Sequence, residues 1–178
     1  MSTPAPEQPE LPAAITAGLN PALQLRPYQA DCFAAWLRYW QRYGQDPTAL
    51  HHLLFHMATG SGKTLIMAGL MLHLYTQGYR NFLFFVNSTN IIEKTRENFL
   101  NPSSGKYLSA PVLELGGQRV QVRAVNNFRE SQPDCINLCL TTIQKLHSDL
   151  NTAREGCTCY DDFAQQSIVF TSDEAQHI

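Results

Sequence analysis

The sequence is short of most features that assign a chain to a class at sight. No apolar run approaches the roughly 18 residues that mark a membrane span, so the hydrophobic 44% reads as core. No lysine or arginine precedes Arg26 and no apolar block opens the chain, so nothing signals secretion. Charge is scarce at 16%, and 13 Lys and Arg against 15 Asp and Glu leave a net −2. A free-standing nucleic-acid module would carry a basic field, which is absent here; a local strip of phosphate contacts stays open. The five cysteines are odd in number and lack paired spacing. That argues against a disulfide framework and suits a reducing compartment, so the cytoplasm is expected. No repeat is visible.

What remains is enough for one domain with a real core in 178 residues. Residues 1–22 hold five of the ten prolines among Ser, Thr, Ala and Glu and are expected to be a flexible leader. Structure should begin at Leu25-Arg26-Pro27-Tyr28-Gln29, with Pro27 in the first turn of a helix. Phe33, Trp36, Trp40 and Tyr43 follow at spacings of three and four, the stripe of a helix packed on a core. Leu53-Leu54-Phe55 reads as a first strand. Residues 81–86, Asn-Phe-Leu-Phe-Phe-Val, lack polar alternation, the mark of a strand covered on both faces. Ser88 or Thr89 can cap a helix over 90–100. Residues 112–125, interrupted by Gly116-Gly117, read as a β-hairpin. Strands over 136–140 and 167–171 flank a helix over 143–150. Strands alternating with helices predict an α/β domain with a mainly parallel sheet flanked by helices, plus a small β-hairpin insertion.

Between the first predicted strand and a long apolar helix lies Ala58-Thr59-Gly60-Ser61-Gly62-Lys63-Thr64. Gly60 and Gly62 let the backbone curl so that successive N–H groups face one hollow. The helix that follows aims its unpaired N–H groups and positive dipole end at the same place. Lys63 adds a mobile cation for phosphate, and Thr64 a hydroxyl for Mg²⁺. The strict phosphate-loop pattern fails at its first glycine, where Met57 stands. At the far end, Asp173 and Glu174 follow a strand, on the sheet edge where ligands collect. One carboxylate can hold Mg²⁺ through its water shell and the other can orient an attacking water.

These segments, in order, resemble a known family. Residues 25–29, 58–64, Thr141-Thr142-Ile143-Gln144 and Asp173-Glu174-Ala175-Gln176 resemble the Q motif, motif I, a DNA-contacting motif and motif II of superfamily 2 DEAD/DEAH-type helicases. Residues 82–95 resemble, more narrowly, the Res subunit of type III restriction enzymes. The resemblance implies that 23–178 form the RecA-like first lobe of an ATP-driven DNA translocase, with ATP and Mg²⁺ as cofactors. It implies that Gln29 reads adenine, that 58–64 hold phosphate and metal, and that Asp173 and Glu174 drive hydrolysis with Lys63. It further implies that Ser88, Thr89, Asn90, Thr141 and Thr142 touch the DNA backbone, and that a methyltransferase (Mod) subunit is a partner. Gln176 departs from the histidine usual in relatives, which puts coupling to a second lobe in question. The second lobe, its arginine fingers and the nuclease domain do not follow residue 178, so the chain is expected to be a fragment or truncated product.

Other signals carry less. Cys157-x-Cys159, and Cys135-x₃-Cys139 with His147, match no common zinc spacing. His51, His52 and His56 lack carboxylate partners nearby, and Lys94, Arg96, Arg119 and Arg123 read as solvated charges. A small-molecule P-loop kinase would need a lid with arginines and an acceptor site. A non-catalytic remnant is the third reading.

Overall fold

The computed structural model describes residues 10–44, 46, 49–151, 160, 163 and 166–173. Its centre is a six-residue run, Asn81–Val86 (β1), buried on both faces. Strand periodicity sends alternate side chains to opposite sides. Phe82, Phe84 and Val86 enter the main core, and Leu83 enters a smaller one with Val125, Phe128 and Cys139. Cys135–Thr142 (β5) and Ile168–Ser172 (β6) pair with β1 on either side, and Gln121–Ala124 (β4) pairs with β5. All pairings are parallel, in the order β4-β5-β1-β6.

Helices supply the cover. Lys63–Thr76 (α3) is apolar nearly all round, as a helix with neighbours on several sides must be. Pro27–Tyr43 (α2) lays Phe33, Trp36, Leu37 and Trp40 into the same core. The two helices meet at Gly69, where any Cβ would run into the Phe33 ring. Thr89–Leu100 (α4) adds Ile92 and Phe99. Ile143–Asn151 (α5) covers the opposite face through Leu146. No helix among the described residues is long and apolar enough to cross a membrane.

Length sets where the loops fall. The 14 residues of α3 span about 21 Å and the six of β1 about 20 Å. Running back along the strand, α3 therefore begins level with the carboxyl end of β1. The parallel register places Thr142 beside Val86, and Ser172 beside Phe85, at that same edge.

The opposite edge is pinned by polar groups that the apolar pattern hides. Asn137 is fully buried, receives a bond from the Gln132 N–H at 2.9 Å and donates to the Gln132 carbonyl at 2.9 Å. Its register partner Asn81 accepts from Ser131 Oγ at 2.8 Å and donates to Gln166 at 2.6 Å. A one-residue slip of β1 or β5 would strand these amides, so the network holds the register on which the site's level edge rests.

Three expectations need correction. Ala13–Thr16 (α1) is a helical turn entered through Pro12, with Ile15 fully buried and Leu19 at 4% exposure. A leader flexible to residue 22 does not describe 13–20, because prolines 12 and 21 bracket an apolar stretch that averaged composition conceals. The Gly116-Gly117 hairpin is only Glu114–Leu115 (β2) with Gln118–Arg119 (β3), both glycines at positive φ. Beyond buried Val120 the chain leaves the hairpin, and β4 joins the main sheet in parallel. Leu53-Leu54-Phe55 is not a strand, and Leu54 is 78% exposed. Strand structure comes from a ladder partner rather than from local sequence, and no described strand pairs with this run.

One buried group makes stability depend on pH. His73 on α3 is 7% exposed, and neither ring nitrogen has a hydrogen-bond partner among the described residues. Burial lowers its pKa from the ordinary 6.5. Below that value the unfolded chain takes up a proton that the folded chain resists, so stability falls as pH drops through this window. Urea midpoints at about pH 7.5 and about pH 5.5 should differ in the wild-type chain and differ less in His73→Leu. An equal loss in both proteins would assign the slope to other groups.

Candidate functional site

The loop over 58–62 is held in a conformation open only to glycine at two points. Gly60 has φ 77° and Gly62 φ 89°, the second serving as N-cap of α3. Ser61 closes a tight turn through its N–H and Oγ, both donating to the Ala58 carbonyl, at 3.2 and 2.6 Å. The N–H groups of Gly62, Lys63 and Thr64 bond to nothing among the described residues. Three such donors at the mouth of a 14-residue helix offer a place an anion can occupy. Lys63 Nζ folds back onto the carbonyls of Met57 and Ala58, each at 3.3 Å. Two long contacts to neutral oxygens are weak partners for an ammonium, so a polyphosphate can draw it away.

A second element reaches into this loop. In α2 the Gln29 amide accepts from the Arg26 N–H at 2.9 Å and donates to the Ser61 carbonyl at 2.8 Å. The Tyr28 hydroxyl donates to that same carbonyl at 2.9 Å. A Cβ at position 62 would come within 2.5 Å of Gln29 Nε2, so the contact needs glycine there for space as well as for conformation. The adenine contact expected of Gln29 is left one amide hydrogen and one lone pair, on a side chain 4% exposed. The loop, rather than the base, is its partner in this conformation.

Beside the loop a cleft of about 790 Å³ opens between residues 53–61 and Tyr28, Cys32, Trp36 and Tyr39 of α2. Its apolar and aromatic lining suits a flat heterocycle. The Cys32 thiol within it is pushed up by burial, which favours its protonated form.

The remaining predicted residues divide. Asp173 follows β6 directly and is half-buried, on the same sheet edge as the loop. Glu174, like Ala175, Gln176, Cys157 and Cys159, lies outside the described residues. Thr64 is half-buried on the first turn of α3. No group of three His, Cys, Asp or Glu among the described residues would hold a metal by itself. The half-buried Thr64 hydroxyl and Asp173 carboxylate are hard oxygen donors of the kind Mg²⁺ accepts beside phosphate oxygens.

Of the expected DNA contacts, Thr89 and Asn90 are exposed at the start of α4, and its N-cap Ser88 is half-buried with no side-chain capping bond. Thr142 is occupied: its hydroxyl accepts from the Lys145 N–H at 3.1 Å and caps α5. Thr141 is 6% exposed, with its hydroxyl turned to the Thr142 carbonyl at 3.4 Å. Strand alternation puts one of two adjacent threonines inside, so Thr141 offers DNA no surface here. Sequence reasoning missed Tyr28, whose partner is a backbone carbonyl 33 positions away. Its place beside Gln29 at the start of a helix was the one available sign.

A glycine turn with its own lysine at a helix start, on the carboxyl edge of a parallel sheet flanked by helices, is the arrangement of a RecA-like α/β domain. The family model described as "Type III restriction enzyme, res subunit" matches residues 22–178. The chain is also 42% identical over 127 residues to the probable type III restriction-modification enzyme HindVIP Res subunit of Haemophilus influenzae. The match covers 71% of this chain and 24% of that relative, so the chain spans about a quarter of its length. No solved structure matches. This chain belongs to the type III restriction enzyme Res subunit family, as its superfamily 2 helicase-type first lobe.

The lysine gives the sharpest check on the seat. Lys63→Ala should weaken ATP·Mg²⁺ binding by about 1.5–3 kcal/mol, the weight of a charge-assisted contact, while the fold persists. Calorimetric titration measures it, and an unchanged affinity in a folded variant would refute the seat.

Proposed function

We propose that this chain binds ATP with Mg²⁺ and hydrolyses it as half of a DNA-translocating motor of the type III restriction kind. The observation that carries this reading is the trio of N–H groups at Gly62, Lys63 and Thr64 that have no partner among the described residues, beside an ammonium that bonds there to two loop carbonyls. Residues 58–64 embrace the β- and γ-phosphates, and the heterocycle lies in the cleft along α2. Gln29 steadies the loop through the Ser61 carbonyl, and to read adenine its buried amide would turn its remaining hydrogen and lone pair toward the cleft. Bound Mg²⁺ would neutralise charge developing on the phosphates, with Thr64 and Asp173 as its protein partners. Glu174 orients the attacking water. Ser88, Thr89 and Asn90, at the positive end of α4, meet the duplex backbone, with Thr142 as a further contact where α5 begins.

Hydrolysis by such motors needs charge stabilisation from across a second lobe. The reading therefore includes a second RecA-like lobe, a nuclease domain and a methyltransferase (Mod) subunit as partners, in the cytoplasm. Without an arginine finger, turnover falls by about 10³–10⁵. The 178-residue chain alone should bind ATP, release phosphate barely above background and ignore added duplex. Phosphate release with and without DNA, beside Glu174→Gln to expose contaminants, decides this. Brisk DNA-stimulated turnover that vanishes in Glu174→Gln would show that the lobe completes its own site.

A further inference from the structure

We infer that Tyr28 is a positioning residue for the phosphate seat, acting through the peptide that joins Ser61 to Gly62. The inference rests on the ATP reading above and deepens it. In a trans peptide the carbonyl and the following N–H point in opposite directions. The Ser61 carbonyl is drawn toward α2 by two donors, Tyr28 Oη at 2.9 Å and Gln29 Nε2 at 2.8 Å. The Gly62 N–H, on the same peptide, is therefore turned away from α2 and has no partner among the described residues, as an anion donor must.

Gly62 needs such a hold. At φ 89° and without a side chain it is free to rotate, and a flipped peptide would present the oxygen of residue 61 to the phosphates. The cost of that flip is set by what holds the carbonyl. Gln29 is itself held by the Arg26 N–H, and Arg26 Nη1 donates to the Tyr28 hydroxyl at 3.3 Å. The guanidinium thus polarises the hydroxyl that holds Ser61, in a short chain from Arg26 through Tyr28 to the loop. Tyr28 is 41% exposed, so its ring adds little to the core and its hydroxyl is the part with a structural partner.

A residue that aims an N–H at phosphate acts on any polyphosphate, with or without a base. Tyr28→Phe should weaken binding of ATP·Mg²⁺ and of inorganic tripolyphosphate alike, by about three- to tenfold, the effect of losing one net hydrogen bond. Its ligand-free unfolding should stay cooperative, with a midpoint lowered by no more than that one bond, so that a lost affinity does not reflect a lost fold. Lys63→Ala runs beside it and should lose both ligands more severely. If Lys63→Ala loses them while Tyr28→Phe binds tripolyphosphate like wild type, the loop is a phosphate seat and the tyrosine does not position it. That holds equally if ATP alone weakens, since the hydroxyl then acts on the nucleoside. If wild type binds neither ligand, the nucleotide reading falls and this role falls with it.

Discussion

The Ser61 carbonyl is shared by two side chains from successive residues of α2, and much of the site depends on that double hold. Without it, Gly60 and Gly62 give a loop free to adopt many shapes, and a binding event would have to order them. With it, the entropy loss is met during folding, when α2 docks on α3 through Phe33 and Gly69. The apolar core and the polar seat are then one construction. The close crossing of two helices brings the Tyr28-Gln29 corner within reach of the loop.

The sheet supplies the other half of the arrangement. Four parallel strands end at one edge, and the helix before β1 is as long as the strand itself. Loop, α4 start and Asp173 therefore share a level that no one of them sets. Buried amides at the far edge keep the register true, at the risk that any lost partner would leave a polar group unsatisfied. Asn81 and Asn137 are polar interruptions in apolar strands, kept where their position is fixed by bonds.

How much of this was readable in the chain follows from what each part depends on. Pro27 at a helix start, the unbroken run at 81–86 and the Gly-x-Gly-Lys-Thr spacing are local signals, and they mark α2, β1 and the glycine turn that opens α3. Leu53-Leu54-Phe55 looked like a strand because its residues favour one, yet pairing is a long-range matter and none of the described strands supplies it. The parallel placement of Gln121–Ala124 depends on β5, more than ten residues away, and hides behind a two-glycine turn. Ile15 and Leu19 were obscured by the prolines around them. Thr141 and Thr142 were read as a pair, although strand alternation separates their fates. Tyr28 was invisible for a different reason: its partner is a carbonyl, which carries no residue identity.

Amide hydrogen exchange resolved by residue, with and without ATP·Mg²⁺, tests most directly whether the loop and the α2 corner form one phosphate seat. Nucleotide should slow exchange at Gly62, Lys63 and Thr64, and with them at Gln29 and Ala30 in the first turns of α2. The Glu114–Arg119 hairpin should be unaffected. Protection confined to the cleft beside α2, with the loop amides exchanging as freely as before, would contradict the account.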